Sequence, residues 1–97
     1  MSVYLLTEQA ELDLQNIWDY IATESMDTAD AVAAEIQQAF EKLAQMPGLG
    51  HRRIDVRSRR VRFWSVRRFV IAYFPDTQPL QIVRIVGGER DFRRLFK

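Results

Sequence analysis

Arginine is concentrated in one stretch of this sequence, HRRIDVRSRRVRFWSVRR, which runs from residue 51 to residue 68 and contains eight arginines. A guanidinium group binds phosphate and carboxylate groups well because it is planar and permanently charged. It keeps its proton near neutral pH, so it can stabilise an anion but cannot act as an acid or a base. Catalysis at this stretch, such as cleavage of a phosphodiester bond, would therefore need a proton donor and a proton acceptor from other residues.

Few residues could supply that proton transfer. His51 is the one histidine, and we expect it in a solvated loop away from the sheet. Tyr73 lies in an all-apolar run, which favours a core tyrosine with a satisfied hydroxyl group. Glu89 fits the first turn of a terminal helix, and the two lysines, Lys42 and Lys97, lie outside the predicted sheet. The sequence thus predicts no catalytic residue, with a catalytic role for His51, Tyr73 or Glu89 as the alternative.

Two arginines, Arg62 and Arg84, differ from the others because each interrupts an apolar run. A charge on an otherwise apolar face of a sheet must pair within the protein or meet an anionic partner. Trp64 shares the face of Arg62 and could cover a partner side chain, and Phe92 would add an apolar contact if the sheet leaves it uncovered. The residues predicted to bind a partner are Arg59, Arg60, Arg62, Trp64, Arg67, Arg68, Arg84, Arg90 and Phe92.

Charge is divided unequally between the two halves of the chain. Residues 1–50 contain nine carboxylates and one base, for a net charge of −8, whereas residues 51–97 contain thirteen bases and four acids, for +9. Such a bipolar molecule suits protein partners. A nucleic-acid-binding protein would carry an overall excess of positive charge and exposed aromatic residues, and this chain totals only +1. We therefore expect no sequence-specific nucleic acid binding by the chain alone.

Composition excludes several other classes of protein. The chain has no cysteine and a single histidine, so we expect no disulfide, no metal site and no cofactor. No apolar run approaches the roughly 18 residues that would cross a bilayer, and the N-terminus has no basic segment ahead of an apolar one. With 97 residues, the chain is expected to form one domain, residues 1–97, that works in the cytoplasm.

Apolar spacing predicts a helical hairpin in the first half of the chain. Residues 2–6 suit a short strand, and Thr7 is a candidate N-cap for a helix over about residues 8–24. Ser25 or Asp27 can cap a second helix, which Pro47 and two nearby glycines end. Because only a few residues join the two helices, they must lie antiparallel.

The second half changes to alternating or continuous apolar runs, which indicate strands. The runs cover residues 61–66, 69–74 and 80–86, and the second has no polar residue, as expected for a central strand that is covered on both faces. Two arginines, 67 and 68, link the first pair of strands without the usual Asn-Gly signal. Residues 89–97 could form a short terminal helix. The predicted fold is α+β, with the N-terminal strand followed by a helical hairpin on one face of a small antiparallel sheet.

This order and its side chains resemble the ParE/RelE toxin superfamily of bacterial type II toxin–antitoxin modules. The resemblance rests on Ala10, Asp13, Leu14, Ile17, Trp18 and Tyr20 of helix one, on Leu43, Pro47 and Gly50, on Arg62, Val66, Phe69, Ile71 and Tyr73, and on the closing IVRIVGGERDFRRLF. It covers nearly the whole chain. Many relatives carry a histidine where this chain has Gly87, so the match to the nuclease branch is weakest there.

The resemblance implies a toxin of the ParE-like branch, which poisons DNA gyrase and is neutralised by a ParD-like antitoxin. A RelE-like endonuclease that cuts messenger RNA on the ribosome is the alternative, and a non-toxic member that only binds its antitoxin is a third possibility. The antitoxin of such modules wraps the toxin with a flexible C-terminal segment. We expect an amphipathic segment over the groove between the helices and the sheet, with its acidic residues meeting Arg62 and Arg84.

Overall fold

The computed structural model describes residues 3–96 of the 97-residue chain. The elements in chain order are β1 (Tyr4–Leu6), α1 (Glu8–Ala22), α2 (Met26–Gln45), a 3₁₀ turn (Pro47–Leu49), β2 (Arg62–Val66), β3 (Phe69–Phe74), β4 (Leu80–Gly87) and α3 (Phe92–Leu95). This order confirms the predicted α+β fold. The parts of the predicted first strand and terminal helix that fall on residues 2 and 97 lie outside the described residues.

The helical hairpin begins at Thr7, as predicted, and at Ser25, one of the two caps that the sequence offered for the second helix. The Thr7 hydroxyl accepts a hydrogen bond from the Ala10 amide at the start of α1, and the Ser25 hydroxyl accepts one from the Thr28 amide at the start of α2. Each cap satisfies an amide that has no partner within its own helix. Only residues 23–25 separate the helices, so α1 and α2 run antiparallel, as the sequence predicts.

The sheet has four strands in the order β1-β4-β3-β2. The β2–β3 and β3–β4 pairs are antiparallel, which confirms that part of the prediction, but β1 pairs in parallel with β4 through Tyr4↔Leu80 and Leu6↔Ile82. The sheet is therefore mixed rather than wholly antiparallel. Pairing between the two ends of a chain is set by tertiary packing, so local apolar spacing carries no signal for it.

Two apolar layers cover the sheet, one on each face. Ile71 and Tyr73 of β3 point into the layer beneath α1 and α2, while Val70 and Ala72 point into a second layer with Val56, Val61, Phe63, Val86 and Phe92. All four of these β3 side chains are buried, which confirms β3 as the doubly covered strand. The second layer is closed by the loop before β2 and by α3, and both of these segments are rich in arginine.

Candidate partner-binding surfaces

Arg84 is held by Asp13, a buried carboxylate on α1. The Arg84 Nε and Nη2 atoms donate to Asp13 Oδ2 and Oδ1 at 2.8 and 3.1 Å. The backbone amide of Ile85 donates to Oδ2 at 2.9 Å, and the side-chain Nε2 of Gln9 donates to Oδ1 at 3.1 Å. Asp13 is only 8% exposed. Of the two outcomes that the sequence left open for Arg84, the structure shows internal pairing, so this guanidinium ties α1 to β4.

A bulge in β4 brings Arg84 to that position. The register with β3 shifts between Ala72↔Arg84 and Tyr73↔Ile82, so β4 has one extra residue there. As a result Ile82 and Ile85, three residues apart, both enter the core layer beneath the helices. Strict alternation would place them on opposite faces. The bulge thus turns this end of β4 so that Arg84 reaches α1.

Arg62, the other arginine within a strand, also bonds within the chain. Its Nη1 atom donates to the Gly50 carbonyl at 2.8 Å, which anchors the loop that follows the 3₁₀ turn. The next residue, His51, exchanges two backbone hydrogen bonds of 2.8 Å with Phe63, so it extends the open edge of β2. The prediction of a solvated His51 is confirmed by its exposed side chain, but its backbone pairs with β2, so the expected position in a loop away from the predicted end of the sheet is wrong. The cause is a long-range pairing that the loop sequence does not reveal.

Trp64 is partly buried and sits among polar groups. The His51 ring stacks on its indole with a centroid distance of 6.4 Å, and the Lys42 ammonium lies 5.3 Å from the indole centroid. The Lys42 contact is a cation–π interaction between α2 and β2. An imidazole and a cation therefore lie beside one aromatic ring at the edge of the sheet, an arrangement that the sequence did not suggest.

The phenol of Tyr73 is committed to the core, as predicted. Its hydroxyl donates to the Pro47 carbonyl at 2.6 Å and accepts from the Gly50 amide at 2.8 Å, and its side chain is fully buried. Burial raises the pKa of Tyr73 above its usual value of 10.0, because the ionised form would lose its hydration. A phenol in this state is a structural tie between β3 and the 3₁₀ turn.

The turn between β2 and β3 carries the two consecutive arginines. Arg67 has a positive φ of 56°, which an L-residue adopts at some cost, and its guanidinium pairs with Glu35 on α2. Hydrogen bonding to Glu35 raises the pKa of Arg67. Arg68 has no carboxylate partner among residues 3–96 and lies 5.4 Å from the Phe69 ring centroid. Arg67 thus fixes the turn to α2, whereas Arg68 forms no ion pair within residues 3–96 and can contact a partner.

A groove lies between α1 and this turn, and we call it the arginine groove. It consists of a concavity of about 360 Å³ and an adjoining one of about 600 Å³, which share Tyr20, Arg68 and Phe69 in their linings. Arg90 lines the first part and Arg67 the second. Tyr20 is 70% exposed. The groove therefore combines an exposed aromatic side chain with three of the nine residues predicted to bind a partner.

Glu89 lies in the first part of the groove beside Gly87. A Cβ atom on residue 87 would come within 2.5 Å of Glu89 Oε1, so the Glu89 side chain fills the space where a larger residue would begin. A histidine at position 87 would have to displace this carboxylate. The absence of a side chain at Gly87 thus allows the observed position of Glu89.

The remaining predicted residues lie elsewhere. Phe92 is 1% exposed and packs edge to face on Phe63, so the sheet covers it and it offers no partner contact in this conformation. Arg60 pairs with Asp76 and stacks on Phe74, with its guanidinium carbon 3.9 Å from the ring centroid. Arg59 is exposed at the end of the loop before β2.

Charge separation persists in the folded chain. Among residues 3–96, the ion pairs that join the basic half to the acidic half are Arg67–Glu35 and Arg84–Asp13. The other ion pairs of the described residues, Arg53–Asp55, Arg60–Asp76 and Arg94–Asp91, lie within the basic half. Most carboxylates of α1 and α2 are left without arginine partners, so the helices form an acidic side and the loops a basic side.

Within the same described range, no cluster of three or more metal-ligating side chains occurs, and no helix is long and apolar enough to cross a membrane.

Comparison with known proteins identifies the family. The sequence matches the family of ParE toxins of the type II toxin–antitoxin system, parDE, over residues 4–92. A solved structure similar to this chain is the chromosomal ParDE toxin–antitoxin system from P. aeruginosa, with a TM-score of 0.72, 23% identity, and coverage of 90% of this chain and 96% of that chain. Comparison with curated proteins gives no match. The family match spans nearly all of the chain, so this protein belongs to the ParE toxin family of type II toxin–antitoxin systems.

Proposed function

We propose that this toxin acts without catalysis, by binding DNA gyrase in the bacterial cytoplasm and stalling it on cleaved DNA, and that a ParD-like antitoxin holds it inactive. The family implies an antitoxin partner, and the gyrase target follows from the resemblance to the ParE-like branch. The main support for the proposal is that the Tyr73 hydroxyl is buried and hydrogen-bonded within the protein. The hydroxyl is saturated by Pro47 and Gly50, and its raised pKa opposes the proton loss that a catalytic base needs.

The arginines support the same conclusion. Guanidinium groups can bind an anion but cannot shuttle a proton, and the exposed ones lie along grooves and loops rather than around the Tyr73 hydroxyl. A surface of this kind steers and selects an acidic partner.

A DNA supercoiling assay tests the target. Purified toxin added to gyrase and relaxed plasmid should block supercoiling and trap cleaved plasmid, and pre-incubation with the antitoxin should prevent both effects. Unchanged supercoiling at toxin concentrations well above the antitoxin Kd would contradict gyrase as the target. Normal colony formation after induction of the toxin without its antitoxin would favour the non-toxic alternative.

We further propose the arginine groove as the place where the antitoxin binds. The groove offers the exposed ring of Tyr20 and the partly buried ring of Phe69, with Arg68 and Arg90 at its rim. An amphipathic segment could place apolar side chains against the rings and acidic ones against the guanidinium groups. This placement replaces Arg84, whose guanidinium is occupied by Asp13, with Arg68 and Arg90 as the main contacts for acidic residues.

Single substitutions test that placement. Arg68→Ala removes one exposed charge from the groove, and Gln38→Glu on the exposed side of α2 changes the net charge by the same amount elsewhere. Arg68→Ala should weaken antitoxin binding about tenfold in a titration calorimeter, because an antitoxin segment in the groove would cover this guanidinium group and pair it with a carboxylate. Gln38→Glu should leave it nearly unchanged. Equal affinities for both variants would exclude the groove.

The endoribonuclease alternative is favoured by one observation, the grouping of His51, Trp64 and Lys42 at the edge of β2. An indole could stack on a base while the imidazole transfers a proton. Primer extension on messages from cells that express the toxin should show no codon-linked cuts if gyrase is the target. Cuts that disappear in a folded His51→Ala variant would support the alternative instead.

A further inference from the structure

The loop before β2 exposes one apolar side chain completely. Ile54 is fully exposed, whereas Val56, two residues later, is 4% exposed and belongs to the second core layer. The Val56 amide donates to the Arg53 carbonyl at 3.2 Å, which closes a tight turn with Ile54 at its tip. The loop is therefore anchored on one side of the turn and presents an isoleucine to solvent on the other.

A second anchor fixes the base of this turn. The Arg53 guanidinium carbon lies 3.9 Å from the Phe92 ring centroid, and its Nε and Nη2 atoms bond to the two carboxylate oxygens of Asp55 at 3.1 and 3.2 Å. Hydrogen bonding to Arg53 lowers the pKa of Asp55, so the pair stays ionised and balanced in charge. The position of Ile54 is thus set by packing below it.

Arginines without an internal ion pair surround Ile54, and one of them, Arg90, also lines the arginine groove. Arg57, Arg90 and Arg93 line a shallow concavity of about 570 Å³ together with Ile54. Within residues 3–96, the guanidinium groups of these three arginines form no hydrogen bond and no ion pair. Of the two carboxylates in the lining, Asp55 pairs with Arg53 and also interacts electrostatically with Arg93, which helps to lower its pKa, while Asp91 caps α3 and pairs with Arg94. Ile54, Arg57, Arg90 and Arg93 therefore present one exposed apolar side chain among guanidinium groups that form no ion pair. We call these four residues the Ile54 surface.

We propose that the Ile54 surface binds duplex DNA without sequence preference, with the three guanidinium groups on phosphates and Ile54 at a base step in the minor groove. Arginines on phosphates supply affinity but carry no sequence information. Isoleucine is among the side chains that proteins insert as wedges between base pairs. This contact goes beyond gyrase and antitoxin binding. It agrees with the expectation that the chain reads no sequence, but it departs from the expectation that the net charge of +1 suits protein partners, because the positive charge is concentrated on one surface.

Duplex DNA fits this surface better than an acidic protein does. Protein interfaces draw most of their binding energy from a few well-packed anchors, among which Trp and Tyr are enriched together with Arg. Here the nearby rings of Phe63 and Phe92 are 4% and 1% exposed, so a single isoleucine is the main apolar contact on offer. Phosphate contacts, by contrast, need only free guanidinium groups. The carboxylates of α1 and α2, which would repel DNA, lie on the other face of the sheet.

Fluorescence anisotropy with a short labelled duplex tests the proposal on the full-length toxin. Log K should fall linearly with log salt between about 50 and 200 mM, with a slope of about −0.9 for each phosphate contacted and so near −3 for three. Arg57→Ala should reduce the magnitude of this slope by about one. Gln38→Glu, which makes the same change in net charge on exposed α2, should leave the slope as it is.

Ile54→Ser tests the apolar contact of Ile54 separately from the arginine–phosphate contacts. It should lower affinity about tenfold at fixed salt, since the apolar contact is lost, and leave the salt slope unchanged. Because Arg57 and Ile54 are exposed, both variants should keep the wild-type melting curve, which circular dichroism can verify.

Three results would overturn the proposal. One is the absence of salt-dependent binding to the duplex. Another is equal loss of slope in Arg57→Ala and Gln38→Glu, which would indicate general electrostatics. The third is Arg57- and Ile54-dependent binding of polyglutamate or single-stranded DNA at least as tight as binding of the duplex, which would assign the surface to an acidic protein or to single strands.

Discussion

The α1–β4 interface and the Ile54 surface use the same side chain for opposite purposes. At the interface, Arg84 lies against the buried carboxylate of Asp13 and joins two elements. At the Ile54 surface, Arg57 and Arg93 line an open concavity, and within residues 3–96 their guanidinium groups form no ion pair. The residue type does not distinguish these roles. The roles are distinguished by burial and by the presence of an internal carboxylate. A chain rich in arginine can therefore use some arginines to stabilise the fold and leave others free to contact a partner.

The energetic difference follows from desolvation. A buried ion pair whose hydrogen bonds are satisfied tolerates the loss of neither partner, because the remaining charge stays buried without compensation. An exposed arginine keeps its water, so its removal hardly changes stability. Substitutions at the two regions should therefore affect different observables, stability in one and binding in the other.

We expect the strongest destabilisation from Asp13→Ala. Removal of this carboxylate leaves Arg84 partly buried without a partner and the Ile85 amide without an acceptor. The free energy of unfolding in urea should fall by about 3–5 kcal/mol. The double variant Asp13→Leu with Arg84→Met should recover much of that loss, because it leaves no unpaired charge. A loss below about 1 kcal/mol in the single variant would show that the pair is dispensable.

Gly50→Ala should be next in effect. A Cβ atom there would lie 2.7 Å from Tyr73 Cε1 and 2.9 Å from the Phe63 carbonyl oxygen, so the core tyrosine or the strand must move. Such overpacking costs about 1–3 kcal/mol. Gly48→Ala is the matched control, since nothing lies within 4 Å of its added Cβ. Similar urea midpoints for the two variants would mean that Tyr73 is not held as described.

Alkaline pH should weaken the fold through Tyr73. Its pKa is raised in the folded state by burial, so the unfolded chain releases the phenol proton first. Its contribution to stability is complete below the unfolded pKa of about 10 and is lost as the pH rises from there through the folded pKa. A Tyr73→Phe variant should show a shallower fall in stability over this range. Parallel pH profiles for variant and wild type would contradict the assignment.

Arg67→Gly should have the smallest effect, because two changes oppose each other. Glycine accepts the positive φ at this turn, which relieves strain of about 1–2 kcal/mol. It also loses the exposed pair with Glu35, which is a small loss because water screens it, and it adds backbone freedom to the unfolded chain, worth up to about 1 kcal/mol. The free energy of unfolding should stay within about 1 kcal/mol of wild type, while Glu35→Gln alone should be slightly destabilising. A loss above about 2 kcal/mol in Arg67→Gly would indicate a larger role for the pair.

The sequence predicted those features that depend on near neighbours along the chain. The caps at Thr7 and Ser25, the buried strand β3 and the satisfied hydroxyl of Tyr73 all followed from spacing and local composition. The parallel pairing of β1 and the position of His51 did not, because both depend on residues distant in sequence. The bulge that directs Arg84 to α1 leaves no local signal either.

The candidate surfaces were predictable only in part. The sequence marked Arg68 and Arg90 as binding residues, and the structure brings them into one concavity. It also marked Phe92, which α3 instead turns inward. Tyr20 and Ile54 were missed, since exposure of a single apolar residue depends on what packs around it. The position of Tyr20 beside the apolar stripe of α1 was the one available hint.

Stoichiometry decides whether this toxin acts by binding. Gyrase at a fixed concentration should be titrated with toxin while supercoiling is followed at several incubation times. We expect inhibition to saturate near one toxin per gyrase subunit that binds it, and to reach the same level at every time point. Inhibition that continues to grow with time at toxin concentrations far below that of gyrase would show turnover, and would contradict a non-catalytic toxin.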